Sequence, residues 1–335
     1  MMMIKQYLLK AVSSLICMLS FLLISFIPDK NPPEAEISNG LIHAHLYLPD
    51  ADNGYYRATR FDWSGIINDL EVNGHHYYGQ WYEKYSPVIN DAIMGPVEAF
   101  DPIGYDGIKS GGSFLKIGVG FVTKPDDGPY NFATYYPIVD GGKWHTKVKK
   151  NRVQFEQILK GTEYAYDYCK TVKLVKNKPI MVLSHTLKNM GTKTIETSVF
   201  DHNFLVMDKQ LTGPGFVVTL PLKPNEQLNA RMQAYAELQG NQLLFLKDLD
   251  GKNVSFKDLT NGNGADYNLK VENHNTGAAV KITGDKRISK LVFWSASKTI
   301  CPEPYINIKV EPGKTFTWNI TYEYYNCDIT KTNKI

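Results

Sequence analysis

From Trp144 to Tyr325 apolar residues recur at every second position, in short runs closed by turn residues, and nowhere at the three-to-four spacing a helix needs. This restricts the chain to sheet. The runs fall at 152–159, 163–175, 180–188, 195–207, 215–220, 228–236, 242–247, 267–273, 278–282 and 290–295, with Lys160-Gly161, Asn189-Met190-Gly191, Gly240-Asn241 and Asp250-Gly251 between them. The strands outnumber those of an immunoglobulin-type sandwich, so the predicted fold is all-β, a large antiparallel sandwich. The 21 tyrosines suit strand packing and contact surfaces alike.

The amino-terminal half is less regular. Residues 31–36 read as a polar linker, and regular structure is expected from Gly40. YYRATRFDWSG (55–65) is read as leading through Ile66 and Ile67 into a second strand that turns at Asn73-Gly74. MGPVEAF (94–100) is read as loop followed by a short strand bearing Glu98, and FLKIGVGFV (114–122) as one alternating strand bearing Lys116. No composition shift marks a boundary after residue 35, so residues 36–326 are expected to form one β domain.

Residues 1–28 differ in kind. Lys5 and Lys10 precede an uncharged apolar run that ends at Pro28-Asp29-Lys30, the layout of a secretory signal or an N-terminal membrane anchor. Export to the periplasm or the extracellular space is therefore expected. Without its two lysines the formal charge falls from +3 to +1, and no basic stripe suggests a nucleic-acid partner. Cys169, Cys301 and Cys327 then remain, enough for one disulfide. Cys301 with Cys327 is the natural pairing if the last two strands form a hairpin, although sequence does not fix connectivity.

Two stretches carry candidate chemistry. In SVFDHNFL (198–205) a strand sets Phe200, His202 and Phe204 on one face and Asp201 and Asn203 on the other, so His202 sits between two rings. In ICPEPYINIKV (300–310), Pro302 and Pro304 flank Glu303. Neither has a backbone donor, so they are expected at a strand edge, bulge or entry, where a side chain is exposed. Taken singly, each stretch also fits a core histidine and a surface acid. His43 with His45, and His75 with His76, have no third ligand at metal spacing, and the chain has no nucleophile elbow or phosphate loop.

The order Leu187–Lys193, Asp201-His202-Asn203-Phe204, Ile300-Cys301-Pro302-Glu303-Pro304, Glu311-Pro312-Gly313-Lys314 and a last strand at 318–325 resembles the galactose mutarotase-like (aldose 1-epimerase) superfamily. The resemblance implies a β-supersandwich and a cofactor-free, metal-free exchange of sugar anomers. His202 would be the acid and Glu303 the base, on an aldose or the reducing end of an oligosaccharide. With ordinary pKa values such a pair would rest as carboxylate and imidazolium. The family's Asn-Arg-Ile-like and His-Gly segments are missing, so Arg60, Glu98, Lys116 and Trp294 are the candidate substrate contacts. Two other readings share the fold: a non-catalytic carbohydrate-binding domain, and a domain of another carbohydrate enzyme.

Overall fold

Period-two alternation becomes 22 β-strands in a computed structural model that describes residues 31–224 and 230–329. Residues 1–28, read above as signal or anchor, lie outside the described residues. Among those described, no helix is long and apolar enough to cross a membrane.

Four antiparallel sheets form. Numbered along the chain, β1 (Glu34–Ser38), β2 (Ile42–Tyr47), β3 (Ile66–Val72) and β4 (His75–His76) make the first. β5 (Gly95–Phe100) belongs to the second, while β6 (Ser113–Lys116), β7 (Gly120–Thr123) and β8 (Ile138–Asp140) make a third. The largest sheet takes β9 (Lys143–Lys149), β10 (Arg152–Leu159), β11 (Tyr166–Leu174), β12 (Ile180–Asn189), β14 (Phe216–Thr219), β15 (Ala236–Gln239), β16 (Gln242–Phe245), β18 (Asn268–Asn273), β19 (Ala278–Gly284) and β22 (Thr315–Asn326). With β5, the strands β13 (Ile195–Phe204), β17 (Val254–Phe256), β20 (Lys290–Ala296) and β21 (Thr299–Val310) complete a five-stranded sheet of order β17-β20-β21-β13-β5.

The inner face of this five-stranded sheet packs on the ten-stranded one. Phe100 of β5 meets Tyr168 of β11 edge-on at 5.5 Å and Trp318 of β22 at 6.2 Å, which places the main core between the sheets. A second core, half of it aromatic, lies on the outer face. It includes Tyr56, Phe61 and Trp63 of the 55–65 segment together with Phe200, Phe204 and Cys301.

Several expectations need correction. The chain turns at Glu311–Lys314, but β21 and β22 are not a hairpin: β21 pairs with β13 and β20, whereas β22 lies between β12 and β19. The turn carries the chain from one sheet to the other. Cys301 is accordingly buried in the smaller sheet, and Cys169, Cys301 and Cys327 are all free thiols. The first strand begins inside the expected linker, at Glu34. Residues 55–65 form a loop, 114–122 a hairpin of β6 and β7, and 230–233 a single helical turn.

The two prolines sit in a central strand, contrary to the edge expectation, and the ladder accommodates them. β13 and β21 pair regularly from Ile195↔Val310 to Phe200↔Tyr305 and meet again at a single bridge, Leu205↔Ile300. Ile300 exchanges both backbone bonds with Leu205, so residues of its parity aim their backbone groups at β13. Pro302 and Pro304 are the next two of that parity. Their missing donors fall where the regular ladder is interrupted. The side chain of Asn203 bridges the interval instead, donating from Nδ2 to the carbonyl of Pro302 at 2.8 Å.

Candidate active site

Carrying the register inwards from Phe200↔Tyr305 sets His202 opposite Glu303, at a position without backbone bonds between the partners. Side chains approach most closely at such positions. Nε2 of His202 lies 3.2 Å from Oε1 of Glu303, and the two residues are 3% and 5% exposed. As the alternation predicts, the imidazole lies among aromatic rings. Phe204 stacks on it at 3.8 Å and 9°, Phe61 meets it edge-on at 5.5 Å, and Phe200 is tilted at 6.0 Å.

The pair faces a cavity of about 620 Å³ on the outer face of the five-stranded sheet, a size ordinary for a small-molecule site. Arg60, Lys116 and Trp294 line it too, so the structure brings five of the six candidate residues together. Trp294 stands edge-on to His202 at 6.2 Å and to Trp81 at 5.4 Å. Arg60 is ion-paired with Asp91, and its guanidinium lies 4.4 Å from the ring centre of Phe132, an exposed residue at the rim. The loop presenting Arg60 is pinned by the hydroxyl of Tyr56 to the carbonyl of Asn90 at 2.9 Å, by Asn90 Oδ1 to the amide of Thr59 at 3.1 Å, and by Trp63 Nε1 to the carbonyl of Ala58 at 2.8 Å. It closes against Gly118, where φ is +80° and a Cβ would stand 2.7 Å from the Asp62 side chain. Lys116 is buried, donates to the carbonyl of Phe100 and lies 5.5 Å from the centre of the Tyr130 ring.

Glu98 does not reach the cavity. It points the other way from β5, into the space between the sheets, where Lys170 and Nε2 of His185 (2.6 Å) donate to it and His185 stacks on Trp318 at 4.4 Å. Asp62, Tyr168, Asp201, Asn203 and Tyr322 extend this buried network. Glu98 is part of the scaffold that fixes β5 and β13 under the site.

Burial sets the electrostatics. It pushes Glu303 up to about 7 against the pull of Arg60 and Lys290, and holds His202 well below the usual imidazole value, helped by Arg60. Below about pH 7 the resting state is therefore the reverse of that expected from ordinary pKa values: a protonated carboxyl beside a neutral imidazole. Nδ1 of His202 has no hydrogen-bond partner. Burial also lowers Lys116 to about 7.

Sequence reasoning missed Asp91, Trp81, Phe132 and Lys290 at this cavity. The first three lie outside any strand, where no periodicity announces which way a side chain points.

No family model and no curated protein matches the sequence. Solved structures do match. The Slr1438 protein of Synechocystis superposes with a TM-score of 0.56 at 13% identity, over 91% of this chain and 99% of that one. An Escherichia coli protein named as a candidate aldose 1-epimerase gives 0.54 at 13%, over 88% and 99%. A galactose mutarotase-like protein of Lactobacillus casei gives 0.52 at 13%, over 87% and 100%. The class is thus a large antiparallel β-sandwich with its cavity on the outer face of the smaller sheet. Its fold is shared with these solved structures, two of which are named as a candidate aldose 1-epimerase and a galactose mutarotase-like protein.

Proposed function

We propose that the protein interconverts the anomers of an aldose, free or at the reducing end of an oligosaccharide, with His202 and Glu303 as the acid–base pair. The observation that carries this reading is the 3.2 Å opposition of a buried imidazole and a buried carboxyl on the wall of an aromatic-lined cavity. Anomer exchange removes a proton from O1 and delivers one to the ring oxygen. As the O1–H electrons form the C1 carbonyl, the bond from C1 to the ring oxygen breaks, and the open aldehyde rotates and closes on its other face. O1 and the ring oxygen share one carbon, so a sugar placed there meets both members of the pair.

The reaction needs one proton on the pair, and below about pH 7 the pair holds one. Burial keeps it on Glu303; shifting it to His202 yields the carboxylate base and imidazolium acid without uptake from solvent. Developing charge is answered by Arg60, which favours the carboxylate. Trp294 offers an apolar surface to the ring, and Arg60 and Lys116 donate to its hydroxyls. We read residues 1–28 as an export segment, testable by sequencing the amino terminus of the protein recovered from cells.

The test is anomer exchange followed by NMR over a panel of aldoses and uronic acids. Acceleration by the native protein that vanishes in Glu303→Gln supports the reading. Sugar binding without acceleration would make the protein a carbohydrate-binding domain.

A further inference from the structure

The charges around the cavity are unequally answered. Arg60 is taken up by Asp91. Lys116 is buried, donates to a backbone carbonyl, and feels Asp101, whose own carboxylate accepts from Ser198. Glu303 belongs to the acid–base pair. Two cations remain, Lys257 directly after β17 and Lys290 at the start of β20. Among the described residues neither has a carboxylate within 4.0 Å.

Lys290 is held where a ligand would meet it. Its ammonium lies 4.6 Å from the ring centre of Tyr305, which in turn stacks on Phe200 at 4.4 Å, next on that face to His202. Its field also reaches Glu303. Both lysines belong to the β17–β20 side of the cavity, whereas Arg60, Asp91 and Lys116 come from loops and strands before residue 120. A neutral sugar would leave these two charges without a counterpart.

We propose that the cavity takes a sugar bearing an anionic group, a carboxylate or a phosphate, which Lys290 and Lys257 hold at the β17–β20 edge while the anomeric carbon faces His202 and Glu303. The proposal rests on the epimerase reading only for the direction of the anomeric carbon. Recognition of the anion is a matter of the lysines alone. An ammonium is a flexible point charge with three donors, suited to either anion.

The experiment measures equilibrium binding by ligand-observed NMR and calorimetry for glucose, galactose, glucuronate, galacturonate and glucose 6-phosphate, at low salt and at 0.5 M salt. We expect the charged sugars to bind about tenfold or more tightly than the neutral ones, with the advantage shrinking at high salt. The uronates and the phosphate separate the two sources of charge. In Lys290→Met the ratio of charged to neutral affinity collapses several-fold, and Lys257→Met lowers it further. Lys309→Met removes an equal charge from the far end of β21 and leaves the ratio in place. Equal affinity for charged and neutral sugars, no binding of any of them, or a ratio unmoved by Lys290→Met overturns the proposal. Tight binding of a charged sugar without anomer exchange overturns the epimerase reading and leaves this one standing.

Discussion

Glu98 and Asp201 are register partners across β5 and β13, two carboxyl groups side by side in the dry space between the sheets, at 0% and 2% exposure. Like charges directly opposite repel, and low dielectric sharpens the repulsion. The fold resolves this by treating them differently. Burial and the charge of Glu98 push Asp201 up to about 7. Burial raises Glu98 too, but Lys170 and His185 outweigh it and hold Glu98 at about 2.

A pH dependence of stability follows. Asp201, Asp62 and Glu303 all have folded values of about 7, above their ordinary ones. Between roughly pH 4 and pH 7 the native protein therefore holds protons the unfolded chain has released, and stability falls as pH rises through that window. Glu98 acts in the opposite sense, its contribution being lost as pH falls from about 4 towards 2, and so does the buried His202, which costs stability as pH falls below its ordinary value and offsets one of the three carboxyl groups. Calorimetric melts from pH 3 to 8 should show a maximum on the acidic side, and Asp201→Asn should flatten the decline towards pH 7. A melting temperature that climbs steadily from pH 5 to 7 would contradict this account.

Glu98→Ala strands the buried ammonium of Lys170 without its anion. A loss of about 3–5 kcal/mol is expected, read from denaturant titration. The affinity of whatever folds for a sugar should be little changed, because Glu98 does not reach the cavity. A selective loss of sugar affinity in a fully stable variant would restore it as a substrate contact.

Glu303→Gln separates chemistry from folding. Turnover should fall by about 10²–10⁴-fold, the usual range for a general acid or base. At pH 8, where Glu303 is forced to ionise in a buried position, the amide should melt no lower than the native protein. Unchanged anomer exchange in this variant would sink the acid–base assignment.

Turnover should follow a bell in pH. Above about 7 Glu303 ionises while His202 stays neutral, and the pair loses the proton it needs to donate. At low pH His202 gains a proton as well, and the pair has no base left. The alkaline limb of kcat/KM is therefore predicted near pH 7, as a property of the pair rather than of either residue. A profile flat from pH 6 to 9 is the result this mechanism does not survive.

Thiol titration tests the corrected connectivity. Cys169, Cys301 and Cys327 should all react in denaturant without reductant, and Cys301, at 0% exposure, should react only after unfolding. A thermal melt shifted by reductant would reinstate a disulfide.

The site was legible where one strand alternates. In β13 the period of two gave the faces of Phe200, His202 and Phe204 correctly, whereas the two prolines beside Glu303 pointed to an exposed edge and the residue is 5% exposed in a central strand. Glu98 was misassigned because all six residues of β5 are buried, so its sequence carries no contrast between faces. The hairpin expectation failed for a different reason. Proline and glycine at 312–313 specify a reversal locally, but which sheet receives the returning strand is decided by partners far along the chain, β12 and β19. Asp91, Trp81 and Phe132 reach the cavity from irregular segments, whose placement depends on contacts such as Asn90 with Thr59 that no local pattern encodes.

Pro302 and Pro304 give the interruption between β13 and β21 a permanence that side-chain packing alone could not. Two strands already in register on both sides of a four-residue interval would ordinarily zip shut, and each amide restored there would help them do so. A pyrrolidine nitrogen has nothing to offer a carbonyl. The separation in which His202 and Glu303 meet is thus written into the covalent chain, and survives whether or not a sugar is bound.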